Sequence, residues 1–200
     1  MQQIVFVVDD DEAVRDALRL LLKSAHLPVQ DYASPAEFLE SYDPRQGGCL
    51  VLDIHMPGLN GLQLQDELSR RGGGIPIVFI TGHGDVSMAV QAMKQGAVEF
   101  LQKPFRDEDL LGAIRKAFER DRKHREQYRE SDGVRRRYDT LTPREKEIMQ
   151  KVAAGQSSKQ IANELDISQR TVEIHRGSVM QKMQADSVAA LVKMMLLVSA

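Results

Sequence analysis

Ile4-Val5-Phe6-Val7-Val8-Asp9-Asp10 is a short apolar run that ends in two carboxylates. Five consecutive apolar residues, four of them β-branched, are typical of a strand buried on both faces, as in a parallel sheet. A second run, Leu50-Val51-Leu52, ends in Asp53 in the same way. Open α/β sheets bind their ligands at the carboxyl ends of their strands. The stretch therefore predicts an α/β fold and also the edge of the sheet at which its chemistry lies.

The first part of the chain alternates strand-like and helix-like patterns. Short β-branched runs occur near residues 4–8, 28–32, 49–52, 76–80 and 98–102, and a helical periodicity follows each of them. Ser34-Pro35-Ala36-Glu37 has the form of a capping box with proline at the first helical position. Five βα units predict a five-stranded, doubly wound parallel sheet with helices on both faces, which we assign to residues 1–120.

The end of the chain shows only helical patterns, so we predict an all-α domain of four helices over residues 139–200. Its first helix is predicted to begin with the capping box Thr142-Pro143-Arg144-Glu145 and to end near Gly155. The next three are predicted to begin at Ser157 or Ser158, at Ser168, and at Asp186 or Ser187.

A charged segment joins the two domains, and we predict a helical linker over residues 121–138. Opposite charges lie four residues apart at Glu119–Lys123, Asp121–Arg125 and Arg122–Glu126, a spacing that stabilises a solvated helix. A dimerising coiled coil is the alternative, but apolar residues are not sustained at the core positions it needs. Ser131-Asp132-Gly133 is expected to end or bend the helix.

The charge is divided unevenly along the chain. Residues 1–104 carry 8 basic and 14 acidic residues, a net charge of −6, whereas residues 105–200 carry 19 and 15, a net charge of +4. An acidic first part suits a cation site, and a basic last part suits a polyanionic partner such as DNA.

The composition indicates a globular protein of the cell interior. Of the 200 residues, 42% are hydrophobic and 28% are charged, as in ordinary folded domains. The lone Cys49 cannot form a disulfide within the chain, and no signal peptide is recognisable. The apolar run over residues 191–198 is too short and too interrupted to span a bilayer. We therefore expect a cytoplasmic protein without a membrane partner.

Polar side chains also follow the fourth and fifth runs, namely Thr81 and Lys103. Since parallel strands end at one edge of the sheet, three carboxylates, a hydroxyl and an ammonium are predicted to converge there. Singly, each residue is more often a solvated loop group or a helix cap, but together they favour a hard divalent cation such as Mg²⁺. A cation, an exposed carboxylate, a hydroxyl and a lysine are the groups needed to transfer a phosphoryl group.

Four segments in order and at matching spacing resemble the receiver domain of two-component response regulators. They are Val8-Asp9-Asp10, Leu52-Asp53 with the following Ile54-His55-Met56-Pro57-Gly58-Leu59-Asn60-Gly61, Thr81-Gly82-His83-Gly84, and Lys103-Pro104. The resemblance implies that Asp53 accepts a phosphoryl group from a sensor histidine kinase. It also implies that Thr81 and Lys103 contact the phosphoryl oxygens.

Further roles come from the same resemblance. Mg²⁺, or Mn²⁺ in its place, is expected at Asp9, Asp10, Asp53 and the backbone carbonyl of His55. Thr81 and Phe100 occupy the switch positions of the family, although Phe100 is equally consistent with a plain core residue. His55 and His83 stand where family members tune dephosphorylation.

The segment from Leu141 to His175 resembles the LuxR-type helix-turn-helix of the FixJ/NarL family. The pairing is most similar to FixJ-type transcription activators, and the long charged linker is similar to that of StyR-like members. Ordinary surface charges are the alternative for its basic residues, and Glu173 reads cytosine or simply faces solvent. The residues expected to contact DNA are Lys159, Ser168, Gln169, Arg170, Thr171, Glu173, Ile174, Arg176, Gly177 and Lys182.

The resemblance implies a transcription activator whose only catalysis is its own phosphorylation and dephosphorylation. Phosphorylation is expected to promote a homodimer on promoter DNA, with RNA polymerase as a further partner. One alternative is an aspartate-nucleophile phosphohydrolase that uses Asp9 and Asp11, but it gives Asp53 and the helix-turn-helix no role. Another is a constitutive DNA-binding protein with a vestigial receiver, which the intact acidic set argues against.

Overall fold

The structure is a computed structural model that describes residues 3–72, 74–82 and 86–199. The chain forms two compact units, Met1–Arg125 and Glu126–Ala200. Within the described residues, no helix combines the length and apolarity needed to cross a membrane. The domain limits of 120 and 138 taken from the sequence stay a prediction.

Five parallel strands form the centre of the first unit, as predicted. They run β1 (Ile4–Val8), β2 (Val29–Tyr32), β3 (Gly48–Asp53), β4 (Ile77–Thr81) and β5 (Glu99–Gln102). Their order in the sheet is β2-β1-β3-β4-β5. Val8 pairs with Leu52, and Thr81 pairs with Gln102. This register brings Asp9, Asp53, Thr81 and Lys103 to the same edge.

Helices cover both faces of the sheet. They are α1 (Glu12–Ser24), α2 (Pro35–Ser41), α3 (Gly61–Arg70), α4 (Val86–Lys94) and α5 (Asp107–Asp139). On one face, Leu18 and Leu22 of α1 and Ile114 of α5 pack against the odd-numbered valines of β1. On the other, Phe38 of α2 and Leu64 of α3 pack against Phe6 and Val8. Cys49 is buried in the first of these cores, with a free thiol.

The predicted helix starts agree with the structure, with one difference in detail. Ser34 caps α2 by accepting from the backbone N–H of Glu37. The Glu37 carboxylate, however, accepts from the N–H of Ala33 rather than from that of Ser34. The reciprocal bond of a capping box is thus displaced by one residue.

Four helices follow α5 in the second unit: α6 (Pro143–Ala153), α7 (Ser158–Leu165), α8 (Gln169–Met183) and α9 (Val188–Ser199). Thr142 and Glu145 form the predicted capping box at the start of α6. Gly155 follows this helix with a positive φ of 81°, a conformation that glycine adopts without strain. Ile148, Ile161, Val172 and Leu191 bring the four helices together in one apolar core.

The prediction that α5 ends or bends at Ser131-Asp132-Gly133 was wrong. The helix continues to Asp139, although a glycine inside a helix costs about 1 kcal/mol relative to alanine. Val134, only 2% exposed, packs in the core of the second unit, and Asp132 pairs with Arg136 at 2.7 Å. Tertiary burial directly after the glycine outweighs its local preference.

Candidate functional site

Two buried carboxylates share one lysine at the carboxyl edge of the sheet. The Lys103 ammonium lies 2.7 Å from Asp9 Oδ2 and 3.0 Å from Asp53 Oδ1. Asp9 is 1% exposed and Asp53 is 4% exposed. The second oxygen of each carboxylate accepts a backbone N–H, from Asp11 at 3.0 Å and from His55 at 2.6 Å. All four carboxylate oxygens are therefore held in place.

Burial and pairing act against each other on the charges of this cluster. Burial raises the pKa of Asp9 above its ordinary value, and the bond from Lys103 offsets part of that rise. For Lys103, burial favours the neutral amine, but the bonds to Asp9 and Asp53 raise the pKa of the ammonium overall. An ammonium between two carboxylates thus keeps a positive charge at the point where they meet.

The neighbouring acidic residues differ from this buried pair. Asp10 is exposed. Asp11 is also exposed and caps α1 by accepting from the N–H of Ala13 at 2.9 Å. The helix-cap alternative therefore applies to Asp11, and the buried partner of Asp9 is Asp53 rather than Asp11.

The oxygen-rich donor set suits a hard divalent cation. The predicted ligands, the carboxylates of Asp9, Asp10 and Asp53 and the backbone carbonyl of His55, are all oxygen donors, which Mg²⁺ and Mn²⁺ prefer. Among the described residues, however, no three acidic, histidine or cysteine side chains are already grouped as a metal site. The single positive charge of Lys103 offsets one of the two negative charges of Asp9 and Asp53, while Asp10 lies exposed.

Thr81 and His55 contact each other beside the acidic pair. Thr81 is fully buried at the end of β4, and its Oγ1 lies 3.2 Å from Nδ1 of the exposed His55. Phe100 is partly buried in β5 and packs at 6.5 Å from the ring of Phe79. His83, which we also expected here, lies outside the described residues.

The second unit has the geometry of a helix-turn-helix. α7 ends at Leu165, the left-handed backbone of the next residue, Asp166, begins the turn, and Ser168 caps α8. The outer face of α8 begins with Gln169, Arg170 and Glu173, all of them exposed. Ile174 is 63% exposed, and Lys159 of α7 and Gly177 of α8 are exposed as well. A helix with such a polar exposed start is the element that helix-turn-helix proteins insert into the major groove.

Several predicted DNA contacts already have partners within the unit. Lys182 lies 2.7 Å from the buried Glu145. Arg176 donates to Ser158 Oγ at 3.2 Å, and Glu173 accepts from Gln169 at 2.9 Å. Ser168 and Thr171 bond to each other at 2.8 Å. The structure thus brings the predicted residues to α7 and α8, but gives Lys182 a structural partner.

Sequence reasoning missed Arg15 at the first site. Its guanidinium donates to the backbone carbonyls of Asp9 at 2.8 Å and Asp10 at 3.0 Å. The bonds tie α1 to the loop that carries the acidic residues. A basic residue one turn into the helix after an acidic loop was the available signal, but its targets are main-chain atoms, which leave no trace in composition.

Comparison with known families covers both units. Residues 5–115 match the response regulator receiver domain, and residues 139–195 match the bacterial regulatory proteins of the luxR family.

Several known proteins are similar to this chain over nearly its whole length. Nodulation protein W of Bradyrhizobium diazoefficiens is 51% identical over 96% of this chain and 84% of its own. Transcriptional regulatory protein FixJ of Azorhizobium caulinodans is 44% identical over 96% and 92%. The solved structure of the response regulator StyR has a TM-score of 0.87 and 45% identity, covering 98% of this chain and 99% of its own. The similarity therefore extends through the charged segment between the two matched regions.

Proposed function

The chain belongs to the response regulators in which a receiver domain precedes a luxR-family domain, and we propose from this premise that phosphorylation of Asp53 controls its regulation of transcription. The observation that carries the proposal is the Asp9–Lys103–Asp53 cluster at the carboxyl edge of a doubly wound sheet. That edge is where this fold places its chemistry.

Asp53 is the carboxylate that we assign as the phosphoryl acceptor. A carboxylate oxygen of Asp53 forms the new O–P bond while the P–N bond of a phosphohistidine on the partner kinase breaks and its imidazole leaves. Lys103 stands 3.0 Å from Asp53, where an ammonium stabilises the negative charge of the transferred group. The N–H of His55 fixes the second carboxylate oxygen.

We assign Mg²⁺, or Mn²⁺, to Asp9, Asp10, Asp53 and the His55 carbonyl. The cation supplies charge neutralisation for the phosphoryl oxygens when it is bound. Asp9 contributes a carboxylate whose pKa is raised by burial. The bond from Lys103 offsets part of that rise, and a cation bound at the same carboxylate would favour its charged form in the same way.

Thr81 and Phe100 are the residues through which we propose that phosphorylation changes the receiver surface. Thr81 lies at the end of β4, and Phe100 lies in the neighbouring strand β5. In this proposal the Thr81 hydroxyl turns from His55 Nδ1, 3.2 Å away, to a phosphoryl oxygen, and Phe100, which packs against Phe79 two residues before Thr81, changes its position in response. The resulting change in the surface promotes a homodimer in this account.

Two copies of α8 then read a two-fold symmetric promoter site, because symmetric dimers bind symmetric DNA. Arg170 and Lys159 are exposed and suit phosphate contacts, whereas Glu173 suits a cytosine amino group. RNA polymerase is the partner that activation of transcription requires. We place the protein in the cytoplasm because its proposed partners are promoter DNA and RNA polymerase.

The phosphohydrolase alternative fits this geometry less well. It requires Asp9 and Asp11 to act together, yet Asp11 is exposed and caps α1. The full-length relatives are transcription regulators, and the luxR-family match has no role in a phosphohydrolase.

The test is to map the phosphorylated residue in the full chain after incubation with acetyl phosphate and Mg²⁺. We expect the label on Asp53, none in Asp53→Asn, and normal labelling in the control Asp16→Asn, which changes an exposed residue of α1. Label that persists in Asp53→Asn, or that maps to Asp9, would overturn the assignment.

A further inference from the structure

The helix α5 remains in contact with the receiver beyond the end of its apolar stripe. Asp121, three residues beyond the core residue Phe118, is only 2% exposed. Its Oδ2 accepts the N–H of Gly48 at the start of β3 at 3.0 Å and the side-chain amide of Gln3 at 3.3 Å. A carboxylate buried to this degree is stable only when its oxygens are bonded, so this turn of α5 is docked.

Arg125 extends the docking by one more turn. Its Nε lies 2.8 Å from Asp121 Oδ1, and its terminal nitrogens donate to three successive backbone carbonyls of the loop before β3, those of Pro44, Arg45 and Gln46. Only a planar fork with five N–H donors can engage a carboxylate and three carbonyls at once. The other two opposite-charge pairs expected in this segment, Glu119–Lys123 and Arg122–Glu126, form no ion pair among the described residues.

The same stretch also contacts the loops before β4 and β5. Arg120 donates to the carbonyl of Gly96, in the turn between α4 and β5, at 2.9 Å. The imidazole of His124 lies against Gly74, where an added Cβ would be 2.6 Å from Cε1. Residues 118–125, called the docking segment below, therefore touch the chain just before β1, β3, β4 and β5.

The part of α5 that follows is exposed to solvent. Residues 126–130 are exposed, and the next buried residue is Val134. A polar helix of this length is marginal in water unless tertiary contacts hold it. Buried residues flank this exposed stretch, Asp121 in the docking segment on one side and Val134 on the other, and their burial stabilises the helix between them.

We propose that the docking segment is the receiver's output element, whose attachment keeps α5 helical beyond the receiver and is required for phosphorylation to act on DNA binding. The coupling part of this inference rests on the proposed function. The bond between Arg120 and Gly96 links the docking segment to the part of the receiver that contains Phe100. Gly96 lies between the helix α4 and the strand β5, and β5 carries Phe100.

The first test measures amide hydrogen exchange along the full chain. Arg125→Ala is compared with Arg122→Ala, which removes an exposed arginine from the same turns. Loss of several charge-assisted hydrogen bonds should make the amides of residues 119–130 exchange about tenfold faster or more. Arg125→Lys, which retains the charge without the fork, should show the same effect if Arg125→Ala does not fold. Unchanged protection in both Arg125 variants would overturn the docking.

The second test measures coupling. The probe is a DNA duplex selected from a random pool by the acetyl-phosphate-treated full chain. We expect the Arg125 variant to incorporate phosphoryl at the wild-type rate, while the ratio of its DNA affinities with and without phosphorylation falls to about one. A ratio equal to that of wild type would overturn the output role. A ratio of one in the wild-type protein would instead refute the proposed function. The docking of residues 118–125 would then be decided by the hydrogen-exchange measurement alone.

Discussion

His55 follows the proposed phosphorylation site Asp53 by two residues, with its side chain exposed and its Nδ1 3.2 Å from Thr81 Oγ1. A water that hydrolyses the acyl phosphate must approach opposite the aspartate oxygen, and an imidazole there obstructs it. His55→Ala should therefore shorten the lifetime of the phosphorylated protein. The measurement is the decay of phosphorylated protein after the donor is removed.

The matched variant is His55→Phe, which retains the bulk but removes the ring nitrogens. Obstruction predicts that this variant keeps a long lifetime. A lifetime that lengthens in His55→Ala would show that the histidine promotes hydrolysis. His83 is predicted to share the role of His55.

Glu145 is a second residue that yields a prediction, because its negative charge contributes to the stability of the fold. Its bond with Lys182, and those with the N–H and hydroxyl of Thr142, lower its pKa below the ordinary 4.5. A carboxyl whose pKa is lower in the folded state stabilises the fold above its unfolded pKa, and this stability is lost as the pH falls through the folded value. Glu145→Gln keeps the capping oxygen but removes the charge, so it should reduce the loss of stability below pH 4.5.

Thermal unfolding of the full chain, followed from pH 7 into acid, measures this effect. Glu130→Gln is the control, because that residue is exposed. An equally steep acid dependence in Glu145→Gln and in the control would contradict the account.

Some site residues were predictable from sequence and others were not, for a physical reason. Asp9, Asp53, Thr81 and Lys103 each follow an apolar run, and parallel topology alone brings strand ends together. Asp121 stands in a charged run that is typical of a solvated helix, yet it is buried and bonded to the backbone N–H of Gly48 and the side-chain amide of Gln3, which are both far away in sequence. No local pattern marks such a partner.

At the scale of elements, a substitution at Gly133 tests directly whether α5 continues as a helix past this residue. A Cβ added there meets no atom within 4 Å, and the backbone continues as helix. Gly133→Ala should therefore raise the free energy of unfolding of the second unit by roughly 0.5–1 kcal/mol. Chemical denaturation of the full chain measures it, and a loss of stability would indicate that the helix ends at Gly133 after all.

The recognition helix α8 gives a second prediction at this scale. Arg170→Ala should weaken binding to all DNA sequences and reduce the slope of log affinity against log salt by about one, since it removes one phosphate contact. Glu173→Ala should alter sequence preference with little change in slope. An unaltered preference would remove Glu173 as a base reader.

Lys182→Ala provides a contrast within the same helix. We predicted a phosphate contact for Lys182 from the sequence, but its ammonium pairs with the buried Glu145. Removal of one partner leaves a buried charge unpaired, so the main expected effect is lower stability of the second unit. A salt slope that changes as in Arg170→Ala would restore the phosphate contact.

The caps and the error in α5 show which element boundaries sequence can predict. Thr142, Ser157 and Ser168 bond to N–H groups within the next turn, so the signal and its target lie within four residues. Gly133 carried an equally local signal for a helix end. The burial of Val134 in a core built from α6 to α9 overrode it, and that contact is long-range.

At the scale of the whole molecule, the alternation of strands and helices followed by helices alone predicted both architectures. The uneven charge, −6 for residues 1–104 and +4 for residues 105–200, agrees with a cation site in one part and DNA in the other. The promoter and the kinase are not encoded in such patterns, because they depend on a few exposed side chains whose partners belong to other molecules.

The central claim is that phosphorylation at Asp53 raises occupancy of DNA by the second unit. The most direct measurement is binding of the full chain to a DNA duplex selected by the phosphorylated protein, with and without acetyl phosphate and Mg²⁺. We predict that the phosphodonor lowers the wild-type concentration needed for half-occupancy, and that Asp53→Asn binds equally with and without it. Equal occupancy by wild type in both conditions, or a response retained by Asp53→Asn, would contradict the account.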